Sequence, residues 1–407
     1  MLNPFAPLLE SLVFVVLGQI YNILAITAVV WAPILLVWLA QRLWLQYRQR
    51  QFIQKNFQFI MLEVKVPRII DKTPIAMELA LHAFLQNRLL NWYERWWKGE
   101  VSPWFSLELV SLEGSVKFFI RTPSQYKTAI ESGLYAHYPD IEVHEVQDYV
   151  SLAPYIHAKE EWSMAGCTFS LNKADPYPIK TYADYGLDQA LMKEEQKSDP
   201  LSTQIEFLGT LGRGQFMWFQ ILIQATENRF KTEGAWFKKH DWRDEGKKVV
   251  KELHEKFAGE SGLKATKRQS DIINAIEKSL GKPGFDCGIR AMYIAKKESF
   301  DGVNIGGMRG MMKTFGSQDL NGFRSAGTGF SFPWQDYKGW RQNKKKHKLF
   351  DAYVRRSWFY SPYKKKPFVL NTEELATIYH FPGGVSETPT FNRIESRKGE
   401  PPVNLPV

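Results

Sequence analysis

The chain has 407 residues, 44% of them hydrophobic and 14% aromatic, with a formal net charge of +10 and a pI near 9.2. That much apolar surface excludes a disordered chain and is enough for two or three ordinary domains. The positive charge favours something acidic as a counterpart (nucleic acid, anionic lipid or an acidic protein), depending on where along the chain it gathers.

Between Ser11 and Gln41 there is no charged residue, and Glu10 and Arg42 bracket the gap. The run Ile23 to Ala40 is the most apolar part, and about 20 such residues rising ~1.5 Å each cross the ~30 Å hydrocarbon core. Gln19, Tyr21 and Asn22 then fall near one interface, and Trp38 and Trp44 near the other. The stretch Leu8 to Leu17 is too short to span alone; it extends the helix or lies along the surface. Pro33 suggests a kink that a membrane helix tolerates. A buried helix of a globular protein is the alternative reading. A cleaved signal would carry positive charge before its apolar core; here Arg42, Arg48, Arg50 and Lys55 follow it instead. The positive-inside rule then gives a single-pass protein of the cell membrane, N-terminus outside and body in the cytoplasm. Residues 1–50 form the anchor and its basic collar.

Residues 51–155 carry the next pattern. Phe57 to Val66 alternates Leu62, Val64 and Val66 with Glu63 and Lys65, a strand with one wet face. Thr73-Pro74 opens a helix expected to run to about Leu90. Trp104 to Leu112 and Val116 to Arg121 form a hairpin about Glu113-Gly114-Ser115. A helix over Pro123 to Leu134 and a strand over Ile141 to Val150 complete the order βαββαβ, a ferredoxin-like unit. Residues 156–332 repeat the order with an interruption: strands Glu161 to Leu171 and Gln215 to Ala225 flank a helix, Leu201 to Leu211. A charged helical insertion over 241–280 follows, broken near Gly259 to Gly262. Then come a strand, Gly288 to Ala295, and a helix, Asn304 to Thr314. The expected fold class is therefore α+β: an N-terminal transmembrane helix followed by ferredoxin-like units, the second with a helical insertion.

Cys167 and Cys287 sit in separate apolar strands with no CxxC or histidine partner, and read as buried, reduced thiols. No GxxxxGK[ST] loop is present: Gly209 to Gly214, Gly306 to Gly310 and Gly327 to Gly329 lack the lysine that must reach the outer phosphates. His82, His137, His144, His157, His240, His254, His347 and His380 form neither HExxH nor zinc spacing. Glu160-Glu161 and Glu194-Glu195 read as solvated. The reading is of a protein that is not an enzyme and binds no cofactor or metal.

Segment 333–386 is aromatic and basic. From Arg341 to Lys366 there are ten basic residues against one aspartate: Arg341, Lys344, Lys345, Lys346, Lys348, Arg355, Arg356, Lys364, Lys365 and Lys366. They interleave with Trp340, Tyr353, Trp358, Phe359, Tyr360 and Tyr363. Basic groups neutralise phosphates and aromatic planes stack on unpaired bases, so DNA is one expected partner. A solvated helix face with core aromatics, and a surface for anionic lipid or an acidic partner, fit the same residues. Residues 387–407, rich in Pro and charge, read as an extended tail.

Several phrases, in order, resemble the membrane-anchored region that precedes the motor in type IV secretion (conjugation) coupling proteins of the TraG-like class, as encoded in candidate-phylum bacteria. They are Phe59 to Ala80, Trp104 to Arg121, Leu134 to Glu142 and Leu375 to Pro382, the last with Thr388-Pro389 and Pro401 to Pro406 looking like the junction before the ATPase. The resemblance implies an oligomeric, non-catalytic subunit of a DNA-translocation apparatus. Because Val407 ends the chain where the motor would begin, the expectation is a P-loop ATPase docked in trans. The second expectation is a membrane-tethered nucleic-acid-binding module that uses the basic segment.

Overall fold

A computed structural model of the chain describes residues 6–67, 72–88, 90–152, 161–188, 199–227, 230–231, 239–259, 266–329, 334, 336–383 and 393–394. Two compact units emerge, one of residues 1–55 with 90–101 and one of 56–89 with 102–407. Expectations for His157, Glu160, the Glu194-Glu195 pair and most of the tail lie outside the described residues.

The first unit is built on α1 (Ala6–Asn56), 51 residues that continue through Pro33. Ile26, Val29, Val30, Ile34, Leu36 and Val37 are all exposed on it. A helix that packs inside a soluble protein buries such residues, whereas α1 leaves them bare. Among the described residues this is the one helix long and apolar enough to cross a membrane. Residues 90–101 join it as a short helix that widens to π geometry over Glu94–Lys98.

The second unit rests on one sheet. Its first elements are β1 (Phe59–Pro67), α2 (Pro74–Ala80), β2 (Phe105–Leu112), β3 (Ser115–Pro123), α3 (Lys127–His137) and β4 (Glu142–Val146). In space β3 lies between β1 and β2, and β4 pairs with β1, all antiparallel. Next come β5 (Trp162–Leu171), α4 (Pro200–Gly209) and β6 (Gln215–Ala225). A small ribbon, β7 (Phe230–Lys231) with β8 (Lys239–His240), leads to the helices α5 (Trp242–Gly259) and α6 (Lys267–Leu280). Then follow β9 (Gly284–Lys296), α7 (Val303–Gly310) and β10 (Phe323–Gly327). Here β9 lies between β5 and β6, and β10 pairs with β5, again antiparallel. The two sets fuse where β2 pairs with β6, from Phe105 against Ile223 to Leu112 against Phe216. The chain closes with α8 (Trp340–Val354), β11 (Phe368–Asn371) on the start of β9, α9 (Thr372–Ile378), and β12 (Arg393–Ile394) parallel to the end of β1.

Successive strand residues point to opposite faces, and both faces are covered. On one, Leu62, Leu107, Phe118, Ile221 and Ile289 share a core with Met77 of α2, Ile130 of α3, Ile205 of α4 and Leu375 of α9. On the other, Met61, Phe119, Met164, Trp218 and Met292 share a core with Leu349, Phe350 and Tyr353 of α8. Outside both, α5 and α6 pack on each other through Val250, Ile273 and Ile276.

Two expectations change. The helix from Pro74 stops short of Leu90: it passes into a 3-10 turn, Leu81–Phe84, which ends where Leu85 takes a non-helical ψ of 55°. The glycine-rich stretch contains β10, an edge strand whose exposed middle residues, Arg324, Ser325 and Ala326, gave no apolar alternation. The stretch Leu375 to Pro382 is buried throughout, with Tyr379 and Phe381 set edge-on against Phe118. Each fully buried Leu or Ile there contributes roughly 1.5–3 kcal/mol, which identifies the stretch as core.

Candidate anion-binding groove

The basic helix α8 presents three faces at about 100° per residue. Leu349, Phe350 and Tyr353 form the face turned to the sheet. Arg341, Lys345 and Lys348, spaced i, i+4, i+7, are exposed along a second. Trp340, Asn343, Lys344 and His347, spaced i, i+3, i+4, i+7, line a groove of about 570 Å³ whose other walls are Trp162, Ser163 and Met164 of β5, Lys297 and Lys346. None of these lining residues is acidic. Trp340 is 65% exposed, and the Lys344 ammonium lies 5.1 Å from its ring centroid. Lys346 leans toward the sheet side of the helix, where partial burial lowers its pKa. Three lysines lining a groove of ligand size that also holds an exposed indole can bind an anion that carries a flat ring.

The remaining predicted residues divide. Arg355 is exposed but pairs with Asp351 at 2.9 Å. Lys348 stands 5.9 Å from the ring of Tyr363, and Lys365 5.1 Å from that of Trp358. Lys365 as a whole is exposed, but desolvation of its ammonium against Trp358, helped by the nearby charges of Arg290 and Lys348, pulls it down to about 8. Lys364 and Lys366 are exposed beyond the helix.

Arg356 is a correction. It is fully buried, with a φ of +48°, and its Nε and Nη2 donate to the two Glu108 carboxylate oxygens at 3.0 and 3.1 Å. Its Nη2 also donates to Asp148 at 2.9 Å. Burial opposes charge on Arg356, but Glu108 and Asp148 outweigh it and the guanidinium stays protonated. Burial likewise tends to raise Glu108; Arg356, with hydrogen bonds from Ser106 and Tyr149, instead holds it at about 2. The Gln220 amide donates to Glu108 at 2.7 Å and accepts from Arg290 at 2.6 Å, so β2, β6, β9 and the segment after α8 meet in one polar cluster. The charge of Glu108 is matched by Arg356 and each would be a buried, poorly compensated charge without the other, which explains why an arginine in a basic run is inside. Tyr353, Trp358 and Phe359 are also buried, and are therefore core residues unable to stack on a base. The run looked uniform because charge counts do not distinguish an inward arginine from an outward one.

Lys297 escaped the sequence reading. It follows β9, 43 positions before Trp340, and only the pairing of β5 with β9 brings it to the groove. Cys167 and Cys287 are free and buried, and burial pushes the Cys167 thiol up to about 12, as expected of inert core cysteines. His380 is buried and faces acceptors at both ring nitrogens, the Ala376 carbonyl at 2.9 Å and the Asp199 carboxylate at 3.3 Å.

The fold and the groove define an α+β body on one large antiparallel sheet, preceded by an apolar helix of membrane-spanning length. The chain belongs to the family described as a domain of unknown function (DUF8128), whose profile matches residues 78–393. No curated protein matches the sequence.

Proposed function

We propose that this protein is a non-catalytic, membrane-tethered module that holds single-stranded nucleic acid at the groove beside α8. The observation that carries the reading is that Lys297, Lys344 and Lys346 line one groove with the exposed Trp340, Lys344 lying 5.1 Å from its ring, with no carboxylate among the lining residues. Lysines supply the phosphate contacts, and the indole supplies a stacking plane that accepts any base. The tether is α1, crossing the cell membrane once with the N-terminus outside; its support is the apolar surface of the helix and the basic residues that follow it. Each half of the sheet is read as a ferredoxin-like unit, on the strand orders β4-β1-β3-β2 and β10-β5-β9-β6, with α5 and α6 as the insertion in the second.

The test is binding of a fluorescent oligothymidine to the full chain in zwitterionic nanodiscs, read by anisotropy across a salt series. Each lysine that meets a phosphate contributes about 0.7 to the slope of log K against log salt. The variant K297A/K344A/K346A is expected to flatten the slope by about 2. An unchanged affinity and slope would sink the reading. A subunit role in DNA translocation, with a P-loop ATPase docked in trans, rests on the resemblance of the sequence phrases alone. Its test is co-purification of such an ATPase with the protein from native membranes, and repeated failure to recover one would remove it.

A further inference from the structure

Residues 91–99 (NWYERWWKG) belong to the same compact unit as α1. Four of them are aromatic, and all four are wholly or partly exposed, Trp92 at 72%. Spaced i, i+1, i+4 and i+5, Trp92, Tyr93, Trp96 and Trp97 fall on one side of the helix through its α and π turns alike, with Glu94, Arg95 and Lys98 on the other. The segment is thus a short amphipathic helix whose apolar face consists of indole and phenol rings. It is fixed to α1 at two places. The Trp97 ring sits 6.4 Å from that of Trp44, and the Trp44 Nε1 donates to the Trp97 carbonyl at 3.4 Å. Gly99, at a φ of +71°, closes on the next turn: a Cβ there would lie 2.7 Å from the Cβ of Arg48 and 2.9 Å from the Gln49 nitrogen. The segment therefore has a defined height along α1.

That height is informative. If the span ends at Ala40, Trp44 lies four residues, or about 6 Å, past the hydrocarbon edge. The headgroup region on each side is about 5–8 Å thick, so Trp44 and the Trp97 ring beside it fall within it. Tryptophan and tyrosine prefer this zone, where a ring meets the acyl boundary and a polar edge meets water. Basic groups are placed to match: Arg42 lies 4.9 Å from the Trp38 ring and Arg48 5.7 Å from that of Trp44, while Lys98 lies 5.7 Å from the Tyr93 ring.

We infer that residues 91–99 form a second membrane contact, an interfacial helix that inserts Trp92, Trp96 and neighbouring rings into the headgroup layer of the bilayer that α1 crosses. A single helix in a bilayer is free to rotate about its axis, and a second contact at a fixed height beside it restrains that rotation. The inference rests on α1 being a membrane span. The occupant is lipid because the aromatic face continues the aromatic and basic collar of α1 itself.

The experiment places a nitroxide on the full chain at single cysteines introduced as V30C, W92C, W96C and D140C, in vesicles of phosphatidylcholine with phosphatidylglycerol. Native Cys167 and Cys287 are buried, so they do not compete for label. Collision with a water-soluble nickel reagent is compared with collision with oxygen, which concentrates in lipid. Positions 92 and 96 are expected to be shielded from nickel severalfold relative to 140, while position 30 reports the bilayer centre. If 92 and 96 collide with nickel as freely as 140 while 30 remains deep, the interfacial helix is wrong and the anchor stands. If 30 is itself aqueous, the span and this inference both fall.

Discussion

Changing Glu108→Gln tests whether the cluster on the α8 side of the sheet is a structural staple. Glu108 is fully buried and receives two bonds from Arg356 and one each from Tyr149, Gln220 and Ser106. Its carboxyl is lowered from the ordinary 4.5 to about 2, a difference of roughly 3 kcal/mol in favour of the charged form. The amide keeps the shape but removes the charge, leaving Arg356 with Asp148, whose side chain is 41% exposed. Breaking one side of a buried pair typically costs 3–5 kcal/mol, and the surviving Asp148 contact places the expected loss near the lower end, about 3 kcal/mol. The assay is urea unfolding of the full chain in nanodiscs at pH 7, followed by tryptophan fluorescence. Its pH dependence adds a sign. Because the folded pKa is depressed, the stabilisation is complete above about 4.5 and is lost as pH falls through about 2; E108Q should remove that part of the acid sensitivity. A loss below about 1 kcal/mol, the range of exposed pairs, would refute the assignment of Arg356 to the core.

Further outcomes follow from the same geometry. His380 has a raised pKa, with burial opposing the shift and Asp199 outweighing it. Its contribution is therefore complete below the unfolded value near 6.5 and is lost as pH rises through the higher folded one; H380N should flatten stability over that window, checked by unfolding at stepped pH. Gly288→Ala would put a Cβ 2.2 Å from ring carbons of Trp358, so overpacking should cost about 1–3 kcal/mol or prevent folding, read as a lower unfolding midpoint. Lys365, at about 8, should be about a quarter unprotonated at pH 7.5, against about a thousandth for an ordinary lysine, and should acetylate first in a timed labelling experiment read by mass spectrometry.

Much of the body was legible in the sequence because its strands are long and strongly apolar. Gln215–Ala225 was read to the residue, and the hairpin expected about Glu113-Gly114-Ser115 is present with a tighter turn, Leu112 pairing with Ser115. The β2–β6 junction was not legible, since each strand is buried on both faces yet carries polar residues, Ser106 and Glu108 on one and Gln220 and Gln224 on the other, that read as a wet face. The burial of α9 was missed because Thr372, Glu373 and Glu374 look solvated. Glu373 instead binds Lys282 at 2.7 Å and Lys278 at 3.1 Å, while Glu374 accepts from the Ile179 amide at 2.8 Å. For the groove, the sequence showed only that Lys344 and Trp340 share one basic, aromatic segment; the helix α8 is what sets them side by side. Lys297 needed the sheet, and Arg356 needed its partners Glu108 and Asp148, which lie more than 200 residues away.

The most direct test of the proposed groove is photocrosslinking of an iodouracil-substituted oligonucleotide to the full chain in nanodiscs, with the attached peptide identified after digestion. A base stacked on Trp340 predicts crosslinks at that residue that disappear in K297A/K344A/K346A. Crosslinks that map elsewhere, or persist undiminished in the triple variant, would contradict a nucleic-acid site beside α8.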